Sequence, residues 1–98
     1  MRNVYFVVSG TVRENFEDFS MARGIGCMLN PFDFFYHEDS KCSVRAQTPT
    51  TVLQFQAKYI HELLDKYPEF RKRWLKSIFI YALKSGRGLD FLEKAFAT

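Results

Sequence analysis

The chain has 98 residues, of which 47% are hydrophobic and 17% aromatic, and its formal net charge at pH 7 is +3. This length allows one domain, residues 1–98, and the aromatic content excludes a disordered tail. The charge is uneven, because residues 1–56 sum to −1 and residues 57–98 to +4. No apolar run approaches the roughly 18 residues of a membrane-spanning helix. No signal segment opens the chain, so we expect a cytoplasmic protein whose two cysteines stay reduced.

Residues 1–56 are predicted to form short strands joined by turns. The β-branched and aromatic run "NVYFVVSG" is followed directly by "TVRENF", so we expect two strands with a tight turn at Gly10. Residues 14–23 are polar and mixed, which is typical of a loop. "GIGCML" resumes the apolar pattern, "DFFY" at residues 33–36 is predicted as a strand, and "TTVLQFQ" as another. "CSVRAQT" alternates as a half-buried strand should. Several short strands at regular spacing favour a barrel or jelly roll.

Residues 57–98 are predicted to be helical, because their apolar residues recur with the 3.6-residue period of a helix. One helix carries Ile60 and Leu64 and ends before Pro68, which can also open the next helix. That second helix, "PEFRKRWLKSIFIYALKS", is stopped by "GRG", and "LDFLEKAFA" predicts a last short helix. Strands followed by helices predict an α+β fold.

Four segments in the same order resemble the cyclic nucleotide-binding domain family. They are "VYFVVSGTV", "MLNPFDFF", "CSVRAQTPTTVLQF" and "YIHELLDKYPEFRKRWL", and the last is similar to versions found in the tails of ion channels. The resemblance implies an antiparallel β-roll (a jelly-roll-like double-stranded β-helix) over residues 1–56, followed by C-terminal helices over residues 57–98. It also implies a chain that is incomplete at its N-terminus, because the family has a helix and two strands before the first of these segments.

In the family, a phosphate-binding cassette follows the strand that "DFF" resembles. It supplies a glutamate to the ribose, backbone N–H groups to the cyclic phosphate and an arginine to its charge, which suits a buried phosphate anion. Five residues fall on cassette positions here and are the candidate ligand-binding residues for cAMP or cGMP: Glu38, Ser40, Lys41, Cys42 and Ser43.

The candidate cassette departs from the family pattern. Ser40 stands where the arginine is expected, and Glu38 reaches the glutamate position only with a one-residue shift. An alternative alignment puts Gly26 and Cys27 on the family glycine and glutamate, but it spoils the "DFF" match. Lys41 does not replace a bidentate guanidinium. Glu38 and Asp39 put negative charge beside the expected phosphate position, and an unpaired like charge about 4 Å away costs around 4 kcal/mol at an effective dielectric near 20. We therefore expect a degenerate pocket.

The resemblance also implies a role for the last helix, which in the family swings over the bound base. If no nucleotide binds, this helix can lie permanently against the roll, with Phe91 or Phe96 in the place of the nucleotide. These two residues are the lid candidates.

Other constellations in the sequence predict neither an enzyme nor a metal site. His37 and His61 lie outside any H-x-H or H-x-x-x-H spacing, no Ser-His-Asp set is recognisable, and no glycine-rich phosphate loop occurs. We name no catalytic and no metal-binding residues, and a metal-dependent cupin is the last alternative.

A basic helix face is present at Arg71, Lys72, Arg73 and Lys76. No recognition helix follows a tight turn, so nucleic acid is not expected.

The resulting prediction is a regulatory cyclic nucleotide-binding-like module, part of an ion channel, transporter or other multidomain protein. Its partners would be other domains of that protein or a separate protein. One alternative is a functional cAMP or cGMP sensor that places Lys41 and the backbone of Cys42 and Ser43 on the phosphate. The other is a small interaction domain whose basic helix docks on an acidic partner or a membrane surface.

Overall fold

The structure, a computed structural model, describes residues 3–36 and 42–97. Its elements in chain order are β1 (Asn3–Ser9), β2 (Val12–Asn15), β3 (Ser20–Arg23), α1 (Pro31–Tyr36), β4 (Ser43–Ala46), β5 (Thr51–Gln56), α2 (Lys58–Lys66), α3 (Pro68–Ser85) and α4 (Gly88–Ala97). The predicted order of antiparallel strands followed by C-terminal helices is confirmed. Within the described ranges, no helix is long and apolar enough to cross a membrane.

The strands form two antiparallel sheets, one of β1 and β5 and one with the order β3-β2-β4. The apolar segment after β3 joins the other side of β1, where Leu29 N donates to the Tyr5 carbonyl at 2.9 Å and Val7 N to the Cys27 carbonyl at 3.1 Å. β1 and β2 are consecutive but do not pair with each other, so the bend at Gly10 moves the chain from one sheet to the other. Glycine is required there, since φ is +84° and a Cβ would lie 2.3 Å from the Pro49 carbonyl oxygen.

The strand predicted at residues 33–36 is wrong, because this stretch belongs to helix α1. Asn30 has a φ of +47°, which turns the chain, and Pro31 follows at the first helical position. Asp33 N then donates to the Asn30 carbonyl at 3.3 Å. Phe32, Phe35 and Tyr36 have the i, i+3, i+4 spacing of one helix face. Packing of that face outweighs the strand preference of aromatic residues.

The loop predicted for residues 14–23 is also wrong in part. β2 extends to Asn15 and β3 begins at Ser20, so only a short connection separates the two strands. Phe16 N donates to the Phe19 carbonyl at 2.8 Å, and the rings of Phe16 and Phe19 stack with centroids 4.7 Å apart. This closed turn makes the polar segment a hairpin.

The core lies between the inner faces of the strands and helices α1 to α4. Its fully buried members include Met28, Ile60, Leu64, Trp74, Ile78, Tyr81 and Phe91. β4 was expected to be half-buried, but all four of its residues are exposed. β4 is an edge strand of its sheet, since β2 is the one described strand that pairs with it.

The three C-terminal helices agree with the predicted boundaries. α2 ends at Lys66, Pro68 opens α3, and Gly86 follows α3 with a left-handed φ of 75°. Ile60, Leu64 and Ile78 are buried as the periodicity predicts. The helices therefore present one apolar face to the sheets, and this arrangement places α3 next to the inner side of β2.

Candidate functional site

The predicted cassette residues fall partly outside the described structure. Glu38, Ser40 and Lys41 lie outside the described residues, so their assignment stays a prediction. Cys42 and Ser43 are described. Ser43 is exposed at the start of β4, whereas Cys42 is half-buried with its Sγ 3.7 Å from Oε2 of Glu14. Cys42, at the end of the predicted cassette, therefore contacts a buried carboxylate.

Glu14 is fully buried because it lies on the inward-facing side of β2, in alternation with Arg13 and Asn15. Its Oε2 accepts a hydrogen bond from the Asn30 backbone N at 2.8 Å, and its Oε1 accepts one from the hydroxyl of Tyr81. These donors come from the turn before α1 and from the middle of α3. One carboxylate therefore connects a strand, a turn and a helix that are far apart in sequence.

Arg23 brings a positive charge to the same place. It lies directly opposite Val12 in the β2–β3 ladder, and its Nε is 3.9 Å from Oε1 of Glu14. Its guanidinium also donates a hydrogen bond to the Ser77 carbonyl and lies 4.8 Å from the centre of the Tyr81 ring. We call Glu14, Arg23, Cys42 and Tyr81 the Glu14 cluster. Arg23 and Tyr81 both tie β2 and β3 to α3.

The environment of the Glu14 cluster favours uncharged hydroxyl and thiol groups. Burial raises the pKa of Glu14, although the hydrogen bonds from Tyr81 and Asn30 and the charge of Arg23 oppose that shift. Burial, together with the neighbouring Glu14 carboxylate, raises the pKa of Cys42 to about 12 and also raises the pKa of Tyr81. The thiol and the phenol are therefore neutral donors at physiological pH, and neither is activated as a nucleophile.

An aromatic cluster adjoins the Glu14 cluster and contains the first lid candidate. Phe91 of α4 is 0% exposed, and its ring centroid lies 5.5 Å from Phe32 and 5.0 Å from Phe35. The second lid candidate, Phe96, is 64% exposed. Of the two, Phe91 fills interior space beside α1 and α3, and Phe96 lies at the surface.

The other predicted constellations are not brought together. His61 is exposed on α2 and contacts the Phe34 ring at 5.7 Å. In residues 3–36 and 42–97, no group of three His, Cys, Asp or Glu side chains is arranged to hold a metal ion. On the basic face of α3, Lys72, Arg73 and Lys76 are exposed, whereas Arg71 donates to the Phe96 carbonyl at 2.9 Å.

Sequence reasoning missed the Glu14 cluster, although two of its members left a signal. Glu14 follows Val12 on the same face of β2, which indicates a carboxylate that points inward. Tyr81 shares the apolar face of α3 with Trp74 and Ile78, and a buried tyrosine hydroxyl needs a partner. Nothing in the sequence indicated Arg23.

Comparison with known proteins identifies no family. No protein-family model matches the chain, and no curated protein is similar enough to count as a match. The likeness to cyclic nucleotide-binding domains therefore rests on the four sequence segments alone.

Proposed function

We propose that this protein is a regulatory module of the cyclic nucleotide-binding type in which the Glu14 cluster and Phe91 take the place of a nucleotide. The module would belong to an ion channel, transporter or other multidomain protein on its cytoplasmic side. Its role would be conformational, without catalysis: the strands and the C-terminal helices move as one body because buried polar groups join them. We also propose that the strands form the antiparallel β-roll of that type.

The observation that carries the proposal is the hydrogen bond from the Tyr81 hydroxyl to Glu14, from α3 to β2. In a nucleotide-binding module, the cassette would hold a phosphate anion next to Cys42 and Ser43. Here the Cys42 sulfur contacts the Glu14 carboxylate at 3.7 Å. A phosphate beside Cys42 would lie near this carboxylate, which disfavours a second anion when Glu14 is ionised.

The aromatic packing supports the same proposal. Phe91 is enclosed by α1 and α3, and its neighbours leave it no exposed surface. This packing of Phe91 supports the proposal that α4 lies against the strands as a permanently closed lid would. The module would therefore respond to its partners without needing a nucleotide.

Calorimetric titration with cAMP and cGMP up to millimolar concentration tests the proposal, with folding verified by circular dichroism in the same sample. We expect no heat of binding from either nucleotide. Micromolar binding that weakens in Lys41→Ala would refute a degenerate pocket and establish the sensor alternative. Lys58→Ala, which removes an exposed lysine far along the chain from the cassette, is the matched control.

A further inference from the structure

We propose that the groove between α3 and α4 binds an amphipathic helix with an acidic flank, supplied by another polypeptide segment. The groove is lined by Leu75, Lys76, Phe79, Leu92 and Phe96, together with small or buried residues beneath them, and its volume is ≈ 260 Å³. Helix binding in this groove would not depend on whether the protein binds a nucleotide. The groove lies on the opposite face of α3 from the one that carries Tyr81.

The groove is part of an apolar strip that runs along both helices. Phe79 is 47% and Leu83 66% exposed, one turn apart on α3, and Leu89 on α4 is 71% exposed. The hydrogen bond from Arg71 to the Phe96 carbonyl joins the start of α3 to the end of α4, so the two helices run antiparallel. Contiguous exposed apolar side chains of this kind mark interaction sites on soluble domains.

The groove between α3 and α4 has a shape that suits a helix as the occupant. Two antiparallel helices with an open groove between them accept the ridge of a third helix, and such a helix anchors itself through residues at i, i+3, i+4 and i+7. A membrane surface is a poorer fit, because an interfacial helix buries a convex apolar face and this surface is concave.

The charges beside the groove favour a helix with an acidic flank. Lys72 and Lys76 lie one turn apart on the same side of α3 as Phe79, and both are exposed. Neither forms an ion pair with a carboxylate in the described part of the chain. On α4, Lys94 Nζ lies 5.1 Å from the centre of the Tyr36 ring, and neither Lys94 nor Glu93 lines the groove. An occupant with Asp or Glu toward α3 is therefore attracted to these two lysines of α3.

Two synthetic peptides test the proposal, using fluorescence anisotropy and the full chain. Both have leucines at i, i+3, i+4 and i+7; one carries glutamates along the flank and the other carries lysines. We expect the acidic peptide to bind about tenfold more tightly, since its glutamates attract Lys72 and Lys76 and the lysines of the other peptide repel them. The difference should shrink at high salt. The double variant Lys72→Glu, Lys76→Glu should invert the preference.

A second set of variants separates groove binding from loss of folding. Phe79→Ser should weaken the acidic peptide at least tenfold, as expected for an apolar anchor, while circular dichroism stays that of wild type. Leu53→Ser, which removes an exposed leucine on β5, should leave the affinity unchanged. Equal binding of the two peptides, or binding of neither, overturns the proposal. So does Phe79-dependent binding to phosphatidylserine vesicles, or a Phe79-dependent dimer in sedimentation, in place of peptide binding.

Discussion

Replacing Tyr81 by Phe removes one hydroxyl from the interior and changes almost nothing else in shape. The hydroxyl donates to Oε1 of Glu14 and lies 3.4 Å from the Met28 carbonyl oxygen. Hydrogen bonds to a charged acceptor contribute about 1.5–3 kcal/mol, and the variant leaves the buried Glu14 with one donor fewer. For a domain of this size, 1 kcal/mol corresponds to about 4–8 °C in melting temperature. We expect Tyr81→Phe to melt roughly 6–24 °C below wild type at pH 8.

The effect should depend on pH, because the bond is stronger when Glu14 is ionised. Loss of the Tyr81 donor also raises the pKa of Glu14 further, so the variant should lie closer to wild type at pH 5 than at pH 8. Urea unfolding followed by far-UV circular dichroism at the two pH values measures both quantities. Tyr59→Phe is the matched control, since Tyr59 is exposed on α2 and should change the free energy of unfolding by less than about 0.5 kcal/mol.

Hydrogen exchange tests whether this bond joins the strands to the helices. If it does, Tyr81→Phe should increase amide exchange in both β2 and α3. Increased exchange in α3 alone would show that the Glu14 cluster does not couple the two layers. A Tyr81→Phe variant within 0.5 kcal/mol of wild type at pH 8 would refute the energetic reasoning altogether.

Three further predictions follow from burial and charge. Phe91→Ala should cost about 3–5 kcal/mol because it leaves a cavity between α1 and α3, whereas Phe96→Ala should cost less than about 1 kcal/mol; equal costs in urea unfolding would contradict the assigned positions. Burial raises the pKa of Glu14 above its ordinary 4.5, so its contribution to stability is complete below that pH and declines as pH rises through the folded-state pKa. Glu14→Gln should remove this decline. Parallel pH–stability curves for wild type and the variant would contradict the raised pKa of Glu14. In a Cys27→Ser background, Cys42, with a pKa of about 12, should react with a disulfide reagent at pH 8 about 40- to 100-fold more slowly than free cysteine, because the greater nucleophilicity of a basic thiolate offsets part of its lower population. A rate within tenfold of free cysteine would refute the burial argument.

The helices could be predicted because their signals are local. The periodicity of Ile60 and Leu64, the proline that opens α3 and the glycine that follows it are all readable without tertiary structure. α1 could not be predicted in this way. Its six residues include aromatic side chains that prefer strands, and its geometry depends on contacts with Phe91 and on the hydrogen bond from Asn30 to Glu14.

The site was harder to predict than the fold because its members come from distant parts of the chain. Glu14 and Tyr81 are 67 residues apart, and the pairing of a strand carboxylate with a helix hydroxyl leaves no spacing that a pattern can detect. The predicted cassette residues are a separate matter from the Glu14 cluster. Glu38, Ser40 and Lys41 lie outside the described residues, and their role depends on the titration with nucleotides.

The pairing of β1 with β5 also determines when the first sheet can fold. β1 is made before its partner residues Thr51–Gln56, which follow β2, β3 and β4 in the chain. Bringing distant strands together is slow relative to helix formation, because loop closure must precede any gain from pairing. Until Gln56 has left the ribosome, "NVYFVVS" is an uncharged strand-forming run whose β5 edge is unpaired. Such a run is open to pairing with other chains, so the yield of folded protein should depend on how long synthesis pauses within the first half of the chain.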